Sequence, residues 1–305
     1  MAMPEQKQGS DPWRLSQLSP MDDAELQRWI DLLEQRTGIC LPKERQSFLL
    51  TSLAIRIREL ELADYAAYYQ YLNQGVQGEL EWELLVDRLT VHETRFIRDE
   101  HALSLLSRHC LPEFQLSADK DKAFNVWSVG CATGEEPYSL SMVIDDYLEQ
   151  AGRSFDYHVL ATDISLASLI TAQWGIYPNN RGKNLSTAFR ERYVQQHDNS
   201  HFKVNKAIRD KVKFSQFNLL GLDKAEIPLM DIIICQNVLI YFRQDSRKTM
   251  LDHLVRFLKP GGMLILGAGE VFNWKNPLVK SFEFPSTLAF KRLDAAGEQS
   301  KAVSQ

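Results

Sequence analysis

Chemistry in this chain concentrates where the apolar run Val126-Trp127-Ser128-Val129 gives way to Gly130-Cys131-Ala132-Thr133-Gly134, after which Glu135-Glu136-Pro137 opens a helical pattern. Two glycines at a strand-to-helix turn let a ligand approach the backbone closely. The acids then discriminate among ligands. A helix N-terminus favours anions, and a dinucleotide would place its pyrophosphate there. Two glutamates in that first turn would repel it. They suit a phosphate-free ligand with positive charge, such as S-adenosylmethionine with its amino group and sulfonium, or else they simply complement the helix dipole. One strand-helix-strand unit later stands Asp163. A carboxylate there can accept hydrogen bonds from two ribose hydroxyls, or cap the helix that follows. Asn218 and Asn237 also follow apolar runs, at the strand ends where open α/β sheets bind ligands.

A sheet is needed to hold these positions together. FNVWSVG (124–130), YHVLATDI (157–164), KVKFSQF (211–217), MDIIICQN (230–237) and GGMLILGAG (261–269) are short runs rich in Val and Ile. Runs apolar throughout suit parallel strands covered on both faces, which predicts a doubly wound α/β sheet. LKPGG (258–262) reads as a tight turn before the last of them. The polar stretch at about 178–213 fits the sheet poorly and predicts an inserted helix followed by small antiparallel strands. Upstream, residues 19–90 read as an all-helical domain. Ser19-Pro20 resembles a helix start, and Leu26, Trp29, Ile30 and Leu33 make one apolar face. A second helix from about Pro42 to Leu60 carries Leu49, Leu53, Ile57 and Leu60, flanked by Arg45 and Arg56. Two more helices are expected over 64–73 and 79–89. Residues 1–18 and 294–305 read as disordered tails, leaving 91–293 as the α/β domain.

The 305 residues carry a net charge of −5, which disfavours a phosphate-tracking nucleic-acid binder. Cys40, Cys110, Cys131 and Cys235 form no CxxC pair and no metal-ligand spacing, so no metal is expected. No secretory h-region or membrane-spanning run is visible. The expectation is a cytoplasmic protein.

Several stretches resemble the CheR family of chemotaxis-receptor methyltransferases, in family order: LTVHETRFIRD (89–99), VWSVGCATGEEPYSLSM (126–142), LATDIS (160–165), GIY (175–177), FNLL (217–220), IIICQNVLIYF (232–242) and LKPGGMLILGAGE (258–270). The resemblance implies an S-adenosylmethionine-dependent methyltransferase sheet with a helical N-terminal domain and a small β-subdomain insertion. It implies methyl transfer to glutamates of a chemoreceptor's cytoplasmic domain, with S-adenosylhomocysteine as product. The stretch from His92 to Arg98 matches a segment that closes over cofactor and substrate. Thr94 matches a cofactor contact, and Arg98 a cofactor-contacting and substrate-proximal position. Gly130 matches the glycine turn, Glu136 a binder of the methionine part, and Asp163 the ribose binder. Asn218, Leu219 and Asn237 match residues around the adenosine, and Tyr241 a tyrosine near the reacting methyl group. Three positions depart from the pattern: His92 where the family commonly has Asn, Gln236 where it has Arg, and Ile97 where it has a second aromatic. Arg98 and Tyr241 are thus expected to orient the target carboxylate. Arg45 and Arg56 are expected to dock an acidic helical partner, unless they form an ordinary solvated flank. Nucleic-acid methylation is disfavoured because Gln236-Asn237-Val238-Leu239 lacks the prolines common after that strand. A nicotinamide dehydrogenase is disfavoured by Glu135 and Glu136. A non-catalytic adaptor would have no need of the glycine turn, Asp163 and Asn237.

Overall fold

The computed structural model describes residues 18–116, 123–152, 154–271 and 273–294; most of both expected tails lies outside them. Helix α1 (Asp23–Thr37) starts later than Ser19-Pro20 suggests. Its cap is Asp22, whose carboxylate accepts from Glu25 N at 2.7 Å, a better-placed acceptor for the free N–H groups of the first turn. The helix ends at Gly38, which adopts φ +77° and abuts Phe242 and Leu220, leaving no room for a Cβ.

Helices α2 (Gln46–Glu59), α3 (Tyr65–Tyr71) and α4 (Gly75–Leu89) complete a bundle. Its core joins Trp29, Leu33, Leu49, Leu53, Ile57, Tyr68 and Leu85, with Trp29 stacked on Tyr68 at 5.5 Å. At its centre Glu81, 3% exposed, receives Arg56 Nε and Nη2 at 2.7 and 2.6 Å and the Tyr68 hydroxyl at 2.6 Å. This corrects the docking expectation for Arg56. Its guanidinium is only 12% exposed and also pairs with Glu59, so its charge is spent inside the bundle.

After α5 (Glu100–Leu105), a π turn and α6 (Leu111–Leu116), the sheet begins. Strands β1 (Phe124–Val129) and β2 (Tyr157–Asp163) are joined by α7 (Glu135–Gln150), and α8 (Leu166–Trp174) follows β2. The insertion then holds β3 (Ile176–Pro178), α9 (Thr187–Tyr193), β4 (Val194–Gln196), β5 (His201–Val204) and α10 (Lys206–Arg209). Its strands form an antiparallel sheet in the order β3-β5-β4. The main sheet resumes with β6 (Val212–Gln216), β7 (Met230–Cys235), α11 (Gln244–Arg256), β8 (Leu258–Leu266), β9 (Val279–Phe284) and β10 (Thr287–Arg292).

The main sheet runs β6-β2-β1-β7-β8-β10-β9. Its first five strands are parallel, and β10 and β9 return antiparallel. All five apolar runs read from the sequence became these parallel strands. The inner strands are buried on both faces, in β1 through Phe124, Val126, Trp127 and Val129, while β6 at the sheet edge is largely exposed. The turn expected at LKPGG is absorbed into β8 as a register shift against β7, with Gly261 at φ +77°. Strand order reverses at β1, which has β2 on one side and β7 on the other. Such a switch point opens a crevice beyond the carboxyl ends of the strands.

Candidate active site

The crevice forms a cleft that opens to solvent beyond the strand ends, the place where open α/β sheets bind ligands. Its floor is the carboxyl ends of β1, β2, β6 and β7. One wall is residues 89–98, and the other is the loop after β7 together with the segment after α1. His92, Thr94, Arg98, Gly130, Glu136, Asp163, Asn218, Leu219, Gln236, Asn237, Tyr241 and Arg45 all line it; Arg56 does not.

Gly130 adopts φ +71°, and a Cβ there would stand 2.3 Å from Val238 Cγ2. Both the backbone conformation and the close approach of the two loops therefore require glycine. Beside it, Asp163 receives Ala132 N on Oδ2 (2.8 Å) and Ser165 N on Oδ1 (2.9 Å). Each carboxylate oxygen keeps a second lone pair for a ligand. Burial raises the Asp163 pKa, opposed by those N–H bonds. Its expected capping role is taken instead by Ser165, whose hydroxyl caps α8.

The two glutamates of the α7 first turn part company. Glu136 faces the cleft and, among the described residues, accepts a hydrogen bond only from Ser128 Oγ, at 2.6 Å. Burial pushes its pKa up to about 7, against the opposing pull of Ser128 and Arg98. Glu135, fully buried, turns away. It takes the Thr133 hydroxyl at 2.7 Å and lies 3.4 Å from Arg181 Nη1. Of the two acids, Glu136 alone lines the cleft.

Residues 91–98 are gripped from several sides. Arg181, on the insertion, donates to Thr94 O at 2.7 Å, and Asn184 donates to Phe96 O at 3.3 Å. Phe96 inserts edge-on against Tyr177 and packs on Phe202. Ile97 N donates to Ser139 Oγ at 2.9 Å, and Ile97 adopts φ +52°. At the other end the His92 ring bridges Asp87 O (2.7 Å) and Ser168 Oγ (2.8 Å), linking α4 to α8. Ile97 packs at the edge of the core, so the lost aromatic costs shape rather than a hydrogen bond.

Arg98 donates to Glu93 O at 2.7 Å. Among the described residues neither Asp99 nor Glu100 forms an ion pair with it. Asp99 instead caps α5 and accepts from Gln236 Nε2 at 2.8 Å, so Gln236 supplies a donor to that acid. Asn218 Nδ2 donates to Arg36 O at 2.8 Å, and Cys40 N donates to Tyr241 O at 2.8 Å. Both contacts bind the bundle to the cleft. Ser128 and Arg181 went unrecognised in the sequence, since nothing local distinguishes a strand serine or an insertion arginine from its neighbours.

Two family models match the chain: "CheR methyltransferase, SAM binding domain" over residues 92–287 and "CheR methyltransferase, all-alpha domain" over residues 24–90. Among curated relatives, a chemotaxis protein methyltransferase of Escherichia coli K12 is 33% identical, covering 83% of this chain and 86% of its own length. Chemotaxis protein methyltransferase 1 of Pseudomonas aeruginosa is 33% identical, covering 79% of this chain and 88% of its own. Among solved structures, the magnesium protoporphyrin IX methyltransferase of Synechocystis PCC 6803 with bound SAH is 16% identical. It covers 65% of this chain and 64% of its own, at a TM-score of 0.30.

Proposed function

The chain belongs to the CheR methyltransferase family and is an S-adenosylmethionine-dependent methyltransferase of chemotaxis adaptation; from that premise we propose that it esterifies glutamate side chains on the cytoplasmic domain of a chemoreceptor. The observation that carries this reading is the gathering of Asp163, Glu136, Asn237, Arg98 and Tyr241 in one cleft at the switch point of the sheet. The cleft fits the cofactor. Asp163 offers acceptors for ribose hydroxyls, and Glu136 offers an acceptor for the amino group. Asn218, Leu219 and Asn237 would surround the adenosine, and His92, Thr94 and Gln236 would complete the pocket. Among the described residues no helix is long and apolar enough to cross a membrane, consistent with action in the cytoplasm.

Bound S-adenosylmethionine supplies a methyl group already activated by its sulfonium. The target glutamate is ionised at neutral pH, with a reference pKa of ~4.3, and needs no general base. Its oxygen would take the methyl group, and the cofactor would leave as a neutral thioether that keeps the electron pair on sulfur. What remains for the protein is alignment and exclusion of water; alignment can contribute ~7–11 kcal/mol. Arg98 and Tyr241 orient the carboxylate, and residues 91–98 close the site.

Labelled S-adenosylmethionine incubated with the chain and a receptor cytoplasmic domain should yield base-labile methyl esters mapping to glutamates. Calorimetry should show S-adenosylhomocysteine binding in the micromolar range and NAD binding far more weakly. Acid-stable, base-resistant label would overturn the ester assignment. NAD binding of equal strength would overturn the cofactor assignment.

A further inference from the structure

Two side chains outside the cleft grip the loop that carries Asn237 and Tyr241. Glu270, 1% exposed, stands at the end of the turn after β8. Its Oε1 accepts from Val238 N at 2.6 Å and Leu239 N at 3.0 Å, and its Oε2 from Gly267 N at 2.5 Å. The fit is close enough to dictate a neighbour: a Cβ on Gly267 would lie 2.7 Å from Glu270 Oε2 and 3.0 Å from Asn237 N. Arg247, in the first turns of α11, holds the other end. Its Nε donates to Phe242 O at 2.8 Å and its Nη2 to Ile240 O at 2.9 Å, while Nη1 reaches Gly269 O at 3.5 Å. A carboxylate thus answers the N–H groups at the loop's start, and a guanidinium answers the carbonyls at its end. Both tie the loop to the turn at 267–270. Between the two grips Leu239 is wholly buried as an anchor, and Asn237 sits at φ +62°, a conformation an unbraced loop would relax.

We infer that Glu270 and Arg247 are positioning residues for methyl transfer, fixing Asn237 toward the cofactor and Tyr241 toward the acceptor carboxylate. The inference rests on the methyltransferase reading of the cleft. A purely structural role would lower stability and leave each folded molecule fully active. A positioning role lowers turnover in molecules that remain folded, because displacement of a reacting arrangement by ~1 Å can cost ~10²-fold.

The test uses the full chain carrying Glu270→Gln, Arg247→Lys, Tyr241→Phe and the pairwise combinations. Circular dichroism establishes the folded fraction, and kcat, protein-substrate KM and S-adenosylhomocysteine affinity are then measured. A glutamine offers one acceptor oxygen where three N–H groups converge, so Glu270→Gln should reduce kcat per folded molecule by about 10- to 100-fold. Arg247→Lys, retaining one donor of three, should give a smaller loss. Both losses should shrink on the Tyr241→Phe background, because residues acting through one another are non-additive. Wild-type kcat and affinity in folded Glu270→Gln, or losses that simply multiply with Tyr241→Phe, would overturn the inference. If Glu270→Gln does not fold, Arg247→Lys with the same cycle decides it. Failure of the wild-type chain itself to methylate any receptor domain would instead strike the parent reading.

Discussion

Glu81 in the helical bundle and Glu136 in the cleft are both acids withdrawn from water, yet they are served differently. Both oxygens of Glu81 are answered from within the chain, by Arg56 and Tyr68. Glu136 has one hydroxyl, from Ser128, and an open side. The electrostatic signatures diverge accordingly. The pair in the bundle holds Arg56 firmly protonated, while burial leaves Glu136 titrating at about 7. A buried carboxylate with all its partners fixes a fold. One that lacks a cation stays costly until a ligand brings it.

The largest expected effect breaks the satisfied pair. Glu81→Ala would strand the Arg56 guanidinium and the Tyr68 hydroxyl, and loss of one partner of a buried pair costs ~3–5 kcal/mol. Urea unfolding should show a loss of that order, with S-adenosylhomocysteine affinity preserved in the folded fraction. A loss below ~1 kcal/mol would put this pair in the class of surface bridges.

Glu136→Gln should do the reverse. Loss of a charged hydrogen bond worth ~1.5–3 kcal/mol should weaken S-adenosylhomocysteine by about tenfold or more at pH 8. Stability without ligand should hold or rise. The folded-state pKa of Glu136 lies above its ordinary value, so its contribution to stability without ligand is full in acid and fades as pH rises toward about 7. The positively charged amino group prefers the ionised acid, so wild-type affinity should fall as pH drops below about 7, and that fall should vanish in Glu136→Gln. A glutamine variant as destabilised as Glu81→Ala would erase the contrast between the two acids.

The smallest effect separates Arg45 from Arg56. Arg45 lies on the cleft wall with its guanidinium over the Phe48 ring, and among the described residues it has no ion pair. Arg45→Ala should change stability by less than ~0.5 kcal/mol and leave cofactor affinity intact. It should weaken engagement of an acidic protein substrate, an effect that fades with salt because the Debye length is ~8 Å at physiological ionic strength. Methylation kinetics unchanged across a salt series would remove Arg45 from substrate docking.

The sequence displayed the strands that carry the site because doubly covered parallel strands are mostly apolar on both faces, as at 124–129 and 230–235. It displayed Gly130 because the positive φ of the turn demands glycine, and Asp163 because a carboxylate at that strand end answers the N–H groups of Ala132 and Ser165. Arg56 was misread because a cation on a helix flank does not announce that its acid lies twenty-five residues away on another helix. Composition alone did not separate Glu135 from Glu136, since one residue of helical rotation divides a core from a cleft. Strands β9 and β10 escaped notice since β9 mixes exposed and half-buried residues and β10 is almost wholly half-buried, near the edge of the sheet, where no continuous apolar run is required.

Arg181 and Asn184 hold the backbone of residues 94–96 from within the insertion, and Phe96 is packed among the insertion's own aromatics. The small sheet is therefore not a detachable module. Grafting another protein's loop in its place, or trimming it to a short linker, would remove the lateral support of the segment bearing Thr94 and Arg98. An engineer seeking to exchange the insertion must transplant it together with its share of the lid, as one piece.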